Sequence, residues 1–196
     1  MTSPGLRERK KAKTRRTIQE HALRLFAEQG YDATTVDQIA EAAEISPSTF
    51  FRYFATKEDL VIEDEYDPLI IEIFLAQPAS LGAVAAMRTA MREALEHIYD
   101  ADHNQLLQRT KLQLQVPAIR ARMLSNQFNT LTAMAEAAAR RYHRDVNDFA
   151  VQVFAGACVG ALIPAITRWA ASDGKELLPD LVDSALEQLE SGLKLQ

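Results

Sequence analysis

Residues 46–53, Ser-Pro-Ser-Thr-Phe-Phe-Arg-Tyr, gather hydroxyls, a guanidinium and a phenol into one short stretch. This set is suited to recognition, not bond-making. Hydroxyls and phenols donate to phosphate oxygens, and a guanidinium pairs bidentately with a guanine edge or holds a phosphate. Both uses are open for Arg52. No comparable set suggests catalysis. His21, His97, His103 and His143 are scattered, and no His-Glu-x-x-His, Cys-x-x-Cys, phosphate-cradling glycine loop or Gly-x-Ser-x-Gly elbow occurs. His97 and His103 straddle an expected helix end without a third ligand. Glu63-Asp64-Glu65 lacks the pattern of a calcium loop and reads as a solvated helix face. No catalytic residue, metal ligand or cofactor is expected.

The elements that must carry residues 46–53 can be read from local patterning. Thr35 and Gln38 form a capping-box pair, which predicts a helix starting at residue 35 or 36. Val36, Ile39, Ala40 and Ala43 then give it one apolar stripe. Ser46 is suited to N-cap a second helix whose first residue is Pro47, where the missing N–H costs nothing. Ile45, Phe50 and Phe54 would turn inward, leaving Pro47, Ser48, Thr49, Arg52 and Tyr53 outward. Thr56-Lys57-Glu58-Asp59 caps a third start. Two helices at a tight turn, the second with a polar outer face, form a helix-turn-helix that can place a helix in the major groove of DNA.

Net charge points the same way once it is divided along the chain. The whole chain carries −5, yet residues 1–57 hold ten Lys/Arg against seven Asp/Glu, leaving about −8 for the remainder. Arg7, Arg9, Lys10, Lys11, Lys13, Arg15 and Arg16 face only Glu8, so residues 1–12 read as a flexible basic arm that attracts phosphates without reading sequence. No apolar segment follows this N-terminus as in a secretory signal. Cys158, the single cysteine, excludes an intrachain disulfide, fits a reducing cytoplasm and reads as an inert buried thiol. The apolar run from Val153 to Ile166 is short of the roughly twenty residues that span a bilayer, so no membrane partner is expected.

Residues 13–60 resemble the DNA-binding domain of the TetR family of bacterial transcriptional regulators. The likeness lies in the Arg-rich lead, Ala-Leu-Arg-Leu-Phe-Ala-Glu-Gln-Gly, Thr-Thr-Val-Asp-Gln-Ile-Ala and Ser-Pro-Ser-Thr-Phe-Phe-Arg-Tyr-Phe-Ala-Thr-Lys-Glu-Asp-Leu. Phe51 departs from the tyrosine usual there, which removes a phenol that often bonds phosphate. The resemblance implies phosphate contacts from Thr35, Tyr53 and Lys57, with Arg16 in the basic lead. It places Pro47, Ser48, Thr49 and Arg52 near bases or adjoining phosphates. It also implies an all-α fold: a three-helix head at residues 13–57 and a larger ligand-binding and dimerisation body at 58–196.

In the body, helices are expected from Lys57 toward Gln77, at Leu81–Ala101, Gln105–Gln115, Pro117–Tyr142 and Val146–Ala171, and from Leu177 to Gly192. Leu178, Leu181, Val182, Ala185, Leu186 and Leu189 stripe the last helix, and Phe154, Cys158 and Ala161 the one before it. Periodicity leaves core and subunit seam open; the resemblance implies a seam, and hence a homodimer on an inverted-repeat operator of double-stranded DNA. Arg88, Met91 and Leu95 on one helix and Met123, Gln127, Thr130 and Met134 on another suggest an adaptable pocket with a few polar groups. For Arg88 a carboxylate partner is the simpler reading, since a buried charge needs one. Phe-Phe-Arg-Tyr-Phe, Asp64-Glu65-Tyr66-Asp67 and Val116-Pro117-Ala118-Ile119-Arg120-Ala121-Arg122 resemble the branch of the mycofactocin-system regulators, which implies an acyl-CoA-like or other bulky metabolite as effector. The reading is a cytoplasmic regulator, nucleoid-bound with DNA and released from it by a small molecule. The alternative is a DNA-binding dimer governed by a protein partner or constitutively bound.

Overall fold

The computed structural model describes residues 5–62 and 66–194; the acidic run at 63–65 lies outside the described residues. It is all-α. Helices α1 (Leu6–Gln29), α2 (Val36–Ala42), α3 (Pro47–Tyr53) and α4 (Asp59–Ile62) precede α5 (Tyr66–Ala76), α6 (Ala83–Gln115), α7 (Pro117–Tyr142), α8 (Phe149–Ala171) and α9 (Leu178–Glu190).

Local chemistry sets the head. Thr35 Oγ1 accepts from the Gln38 N–H, and Gln38 returns its amide oxygen to the Thr35 N–H, completing the capping box. Ser46 accepts from the Thr49 N–H with Pro47 at the first helical position. Between α2 and α3, Glu44 takes φ +55°, a left-handed residue that reverses the chain within one step. Ile18, Phe26, Ile39, Phe50, Phe54 and Leu60 bury one core. α1 already begins at Leu6, so residues 6–12, expected as a flexible arm, are its first turns. Nothing after Gly5 interrupts a run of Arg, Lys and Ala that favours helix.

The body departs from expectation at one joint. Residues 83–115 form a single helix of 33 residues, where Ala101-Asp102-His103-Asn104 had suggested a break. Asp102, His103 and Asn104 have low helix propensity, but burial of Leu95, Ile98 and Arg109 on one side carries the helix through. α5 to α9 enclose a second core centred on Trp169, Met87, Phe74 and Leu186, all essentially inaccessible to solvent. His143 closes α7 in the left-handed conformation.

Head and body share an interlock at α4 and the α6–α7 corner. Ile119 of α7 is fully buried in the head's core, with Leu112, Val116 and Met123 packed around it. Arg109 and Gln113 of α6 both donate to the Val61 carbonyl, at 3.2 and 2.9 Å, and Gln19 of α1 donates to that of Leu60. Arg122 of α7 reaches the buried carboxylate of Asp59 at 3.3 Å. Each bond satisfies a group at a helix only one turn long, whose backbone cannot satisfy itself.

Candidate DNA-reading surface and effector cavity

Thr35, Pro47, Ser48, Phe51 and Arg52 lie exposed on one flank of the head, with Thr49 and Tyr53 half-buried beside them. Ser46 Oγ lies 2.9 Å from the Ser48 hydroxyl and 3.0 Å from that of Thr49, so the start of α3 presents a linked set of hydroxyls. Arg52 rests against Tyr53, its guanidinium carbon 5.5 Å from the ring centroid. Phe51 is 55% exposed and stands edge-on to Phe50 at 5.3 Å, a rigid apolar knob among the polar groups. Arg16 makes an exposed pair with Glu20 at 3.1 Å. Such a pair is worth little, so its guanidinium can turn to a phosphate at small cost.

Lys57 behaves differently. Its ammonium donates to the carbonyls of Tyr31 and Thr34 at 2.8 and 2.9 Å and lies 4.0 Å from the Tyr31 ring centroid. The expected phosphate ligand is thus directed into the α1–α2 turn. Tyr31 in turn donates to Glu58 at 2.7 Å, and burial followed by this bond pushes the phenol's pKa up. This brace needs side chains from opposite ends of the head, and no local motif announces it.

Behind the head, α1 and α4–α9 line a cavity of about 830 Å³, within the range of small-molecule sites. Met91, Leu95, Met123, Gln127, Thr130 and Met134 line it as expected. Ile70, Ile71, Ile98, Leu162 and Ile166 add apolar wall, while Tyr66, Asp67, Gln113 and Asn126 add polar groups. Thr130 donates to the Asp67 carboxylate at 3.1 Å. Single-helix periodicity could not find the walls supplied by α5 and α8, because the void exists only where seven helices fail to meet.

Arg88 is not in that wall. Its guanidinium grips Asp183 of α9 through two bonds of 2.8 and 2.7 Å, with Glu187 and Glu190 at 3.2 and 3.4 Å. The paired arginine holds Asp183 well below the ordinary carboxylate range, at about 2. Arg88 therefore clamps α6 to α9 and is corrected from effector ligand to strut.

The expected dimer residues also divide. Cys158, Leu178, Val182 and Leu186 are buried within this chain's own core, and Leu178 and Val182 face the cavity. Burial pushes the Cys158 thiol up to about 12. Phe154 stacks on Phe74 at 6.0 Å, and Ala161, Leu181, Ala185 and Leu189 pack half-buried against the same core. These residues form the inner stripe of the two helices. The outer face of α8 carries a second apolar stripe: Phe149 and Val153 are 82% and 51% exposed, Gly156 and Gly160 are exposed after them, and the stripe ends at Ile163, 47% exposed, which also lines the cavity. Their spacing of four, three, four and three residues is that of a helix-pairing seam. Two apolar faces also explain why α8 is apolar enough by length and composition to cross a membrane, although it packs against α6, α7 and α9.

A basic helical head bearing a helix-turn-helix, interlocked with a hollow helical body, defines a one-component DNA-binding regulator. The chain belongs to the TetR family of bacterial regulatory proteins. The family's N-terminal model matches residues 18–63, and that of the MftR C-terminal domain matches residues 81–194. The chain is 32% identical to the HTH-type transcriptional regulator TcmR of Streptomyces glaucescens, over 95% of this chain and 87% of that one. It is 28% identical to the putative mycofactocin biosynthesis transcriptional regulator MftR of Mycobacterium tuberculosis, over 94% and 93% of the two chains. Among solved structures, the TetR-family repressor FadR of Thermus thermophilus, in complex with lauroyl-CoA, superposes with a TM-score of 0.59 at 25% identity, over 93% of this chain and 96% of that one. The relatives are regulators and not enzymes.

Proposed function

We propose that this protein is a cytoplasmic homodimeric repressor that binds an inverted-repeat operator and is released from it by an acyl-CoA-like effector. The observation that carries this reading is the cavity, which reaches from the body to the head and is lined by residues of both, from Lys11, Arg15 and Ile62 to Met134 and Val182. The FadR relative with lauroyl-CoA supports the effector class. On the DNA, Thr35, Ser48, Thr49 and Tyr53 position phosphates, Pro47 shapes the start of α3, Arg52 reads a base edge and Arg16 adds a backbone contact. Lys57 acts beneath them by holding the α1–α2 turn. The seam is the outer face of α8, where Gly156 and Gly160 let a second copy of the helix approach closely.

A ligand releases DNA only by binding the DNA-incompetent arrangement better than the competent one. The test is a binding titration of the protein against its own upstream intergenic DNA, with and without acyl-CoA thioesters. Salt-sensitive binding to an inverted repeat, released by a thioester, is the expected result. Specific binding that no thioester or other small molecule weakens would overturn the gating and leave a regulator governed by a protein partner or constitutively bound.

A further inference from the structure

Among the described residues, the cavity's cationic groups all stand on the DNA-binding head. Among its lining residues the basic side chains are Lys11 and Arg15, four apart and so on one face of α1. The remaining wall is largely apolar, and Asp67, its one carboxylate among those residues, accepts the Thr130 hydroxyl. A hollow with a greasy body and two cations at one end fits an amphipathic anion lying with its charged end toward α1.

Arg15 has a second engagement. Its Nη1 donates to the carbonyl of Tyr53 at 2.9 Å, and its guanidinium carbon lies 4.2 Å from the Phe54 ring centroid. Tyr53 is the last residue of α3. Its carbonyl is among those a helix leaves unsatisfied at its C-terminus, where a cation is most favourable. One side chain thus lines the cavity and closes the recognition helix.

We propose that the effector binds with its anionic end against Lys11 and Arg15, and that Arg15 then gives up the Tyr53 carbonyl, loosening the last turn of α3. The inference rests on the gated-regulator reading and adds the ligand's orientation and the coupling residue. The exchange is favoured because an anion adds the attraction of opposite charges to the guanidinium's hydrogen bonds, which a neutral carbonyl does not. Neutralising two cations of the head lowers its affinity for phosphates as well, so both consequences favour release of DNA.

The probes are lauroyl-CoA, laurate and the neutral dodecanol. Each is titrated calorimetrically into the full-length protein and into Arg15→Met and Arg15→Lys, and amide exchange is followed across residues 47–57. In the wild type, laurate should bind about tenfold or more tightly than dodecanol, as expected for one charge-assisted contact. Laurate should also speed exchange at residues 50–54, where dodecanol does not. Arg15→Met should lose most of the preference while still binding dodecanol, which shows the cavity intact, and Arg15→Lys should recover it. Equal affinity for laurate and dodecanol, or unchanged exchange in α3 with laurate bound, overturns this inference alone. Binding of none of the three probes overturns the acyl-effector reading and this inference with it.

Discussion

Replacing Asp183 with Asn tests the α6–α9 clamp. The carboxylate accepts from Nε and Nη2 of Arg88, at 2.8 and 2.7 Å, and from Arg92 at 3.1 Å. Arg88 and Asp183 are 20% and 30% exposed. The hydrogen bonds from Arg88 chiefly hold the Asp183 pKa at about 2, against an ordinary value of 3.8. At about 1.36 kcal/mol per pH unit the gap corresponds to about 2.4 kcal/mol; solvent screening at this partly exposed pair reduces that to about 1–1.5 kcal/mol. Glu187 and Glu190 remain near Arg88 in the variant and keep the loss at the lower end. Asp183→Asn should therefore unfold about 2–6 °C below the wild type at neutral pH. The sign of the pH dependence follows from the direction of the shift. Folding lowers the affinity of Asp183 for a proton, so its contribution is full above about pH 4 and is lost as the pH falls toward 2. Urea unfolding of both proteins should show their stability difference shrinking across that interval. A difference that stays constant from neutral pH to about pH 2 would refute the ion-pair account.

Three further outcomes are expected. Arg52→Ala should relax preference at one base pair per half-site by about 1–3 kcal/mol in competitive titrations; uniform weakening across sequences would make Arg52 a phosphate contact only. Lys57→Met should destabilise the head by about 2–3 kcal/mol, because two buried carbonyls lose a charged donor. It should leave the salt dependence of DNA binding for the folded protein unchanged, and a shallower slope would return Lys57 to the phosphate contacts. Val153→Glu places a charge in the exposed stripe of α8, and sedimentation should then show a monomer that remains helical; an unaltered dimer would locate the seam elsewhere.

The local features of the head could be read from sequence because neighbours make them. Ser46 caps α3 with the Thr49 N–H, and Thr35 closes its box with Gln38. Lys57 lay beyond that kind of reasoning: its partners, Tyr31 and Thr34, are 26 and 23 residues away. The single helix at residues 83–115 was hidden for the related reason that the weak helix formers at 102–104 are overridden by packing from other helices.

The C-terminal helices show a sharper limit. Leu178, Val182 and Leu186 form the stronger stripe, which suggested a seam, yet they are the most deeply buried residues of α9. A stripe at i, i+3 and i+4 records only that one face avoids water. A chain that both folds and pairs needs two such faces, and the more apolar, more regular one goes to the core, where burial is complete. The pairing face must stay tolerable to solvent before a partner arrives, which favours glycines and a few isolated apolar residues. α8 has that character: Gly156 and Gly160 are flanked by Val153 and Ile163, each about half exposed. In such proteins the weaker stripe is therefore the better candidate for the subunit seam. Arg88 follows the same logic in reverse, because a cation interrupting the strong stripe meets not a ligand but the carboxylate on the helix packed across from it.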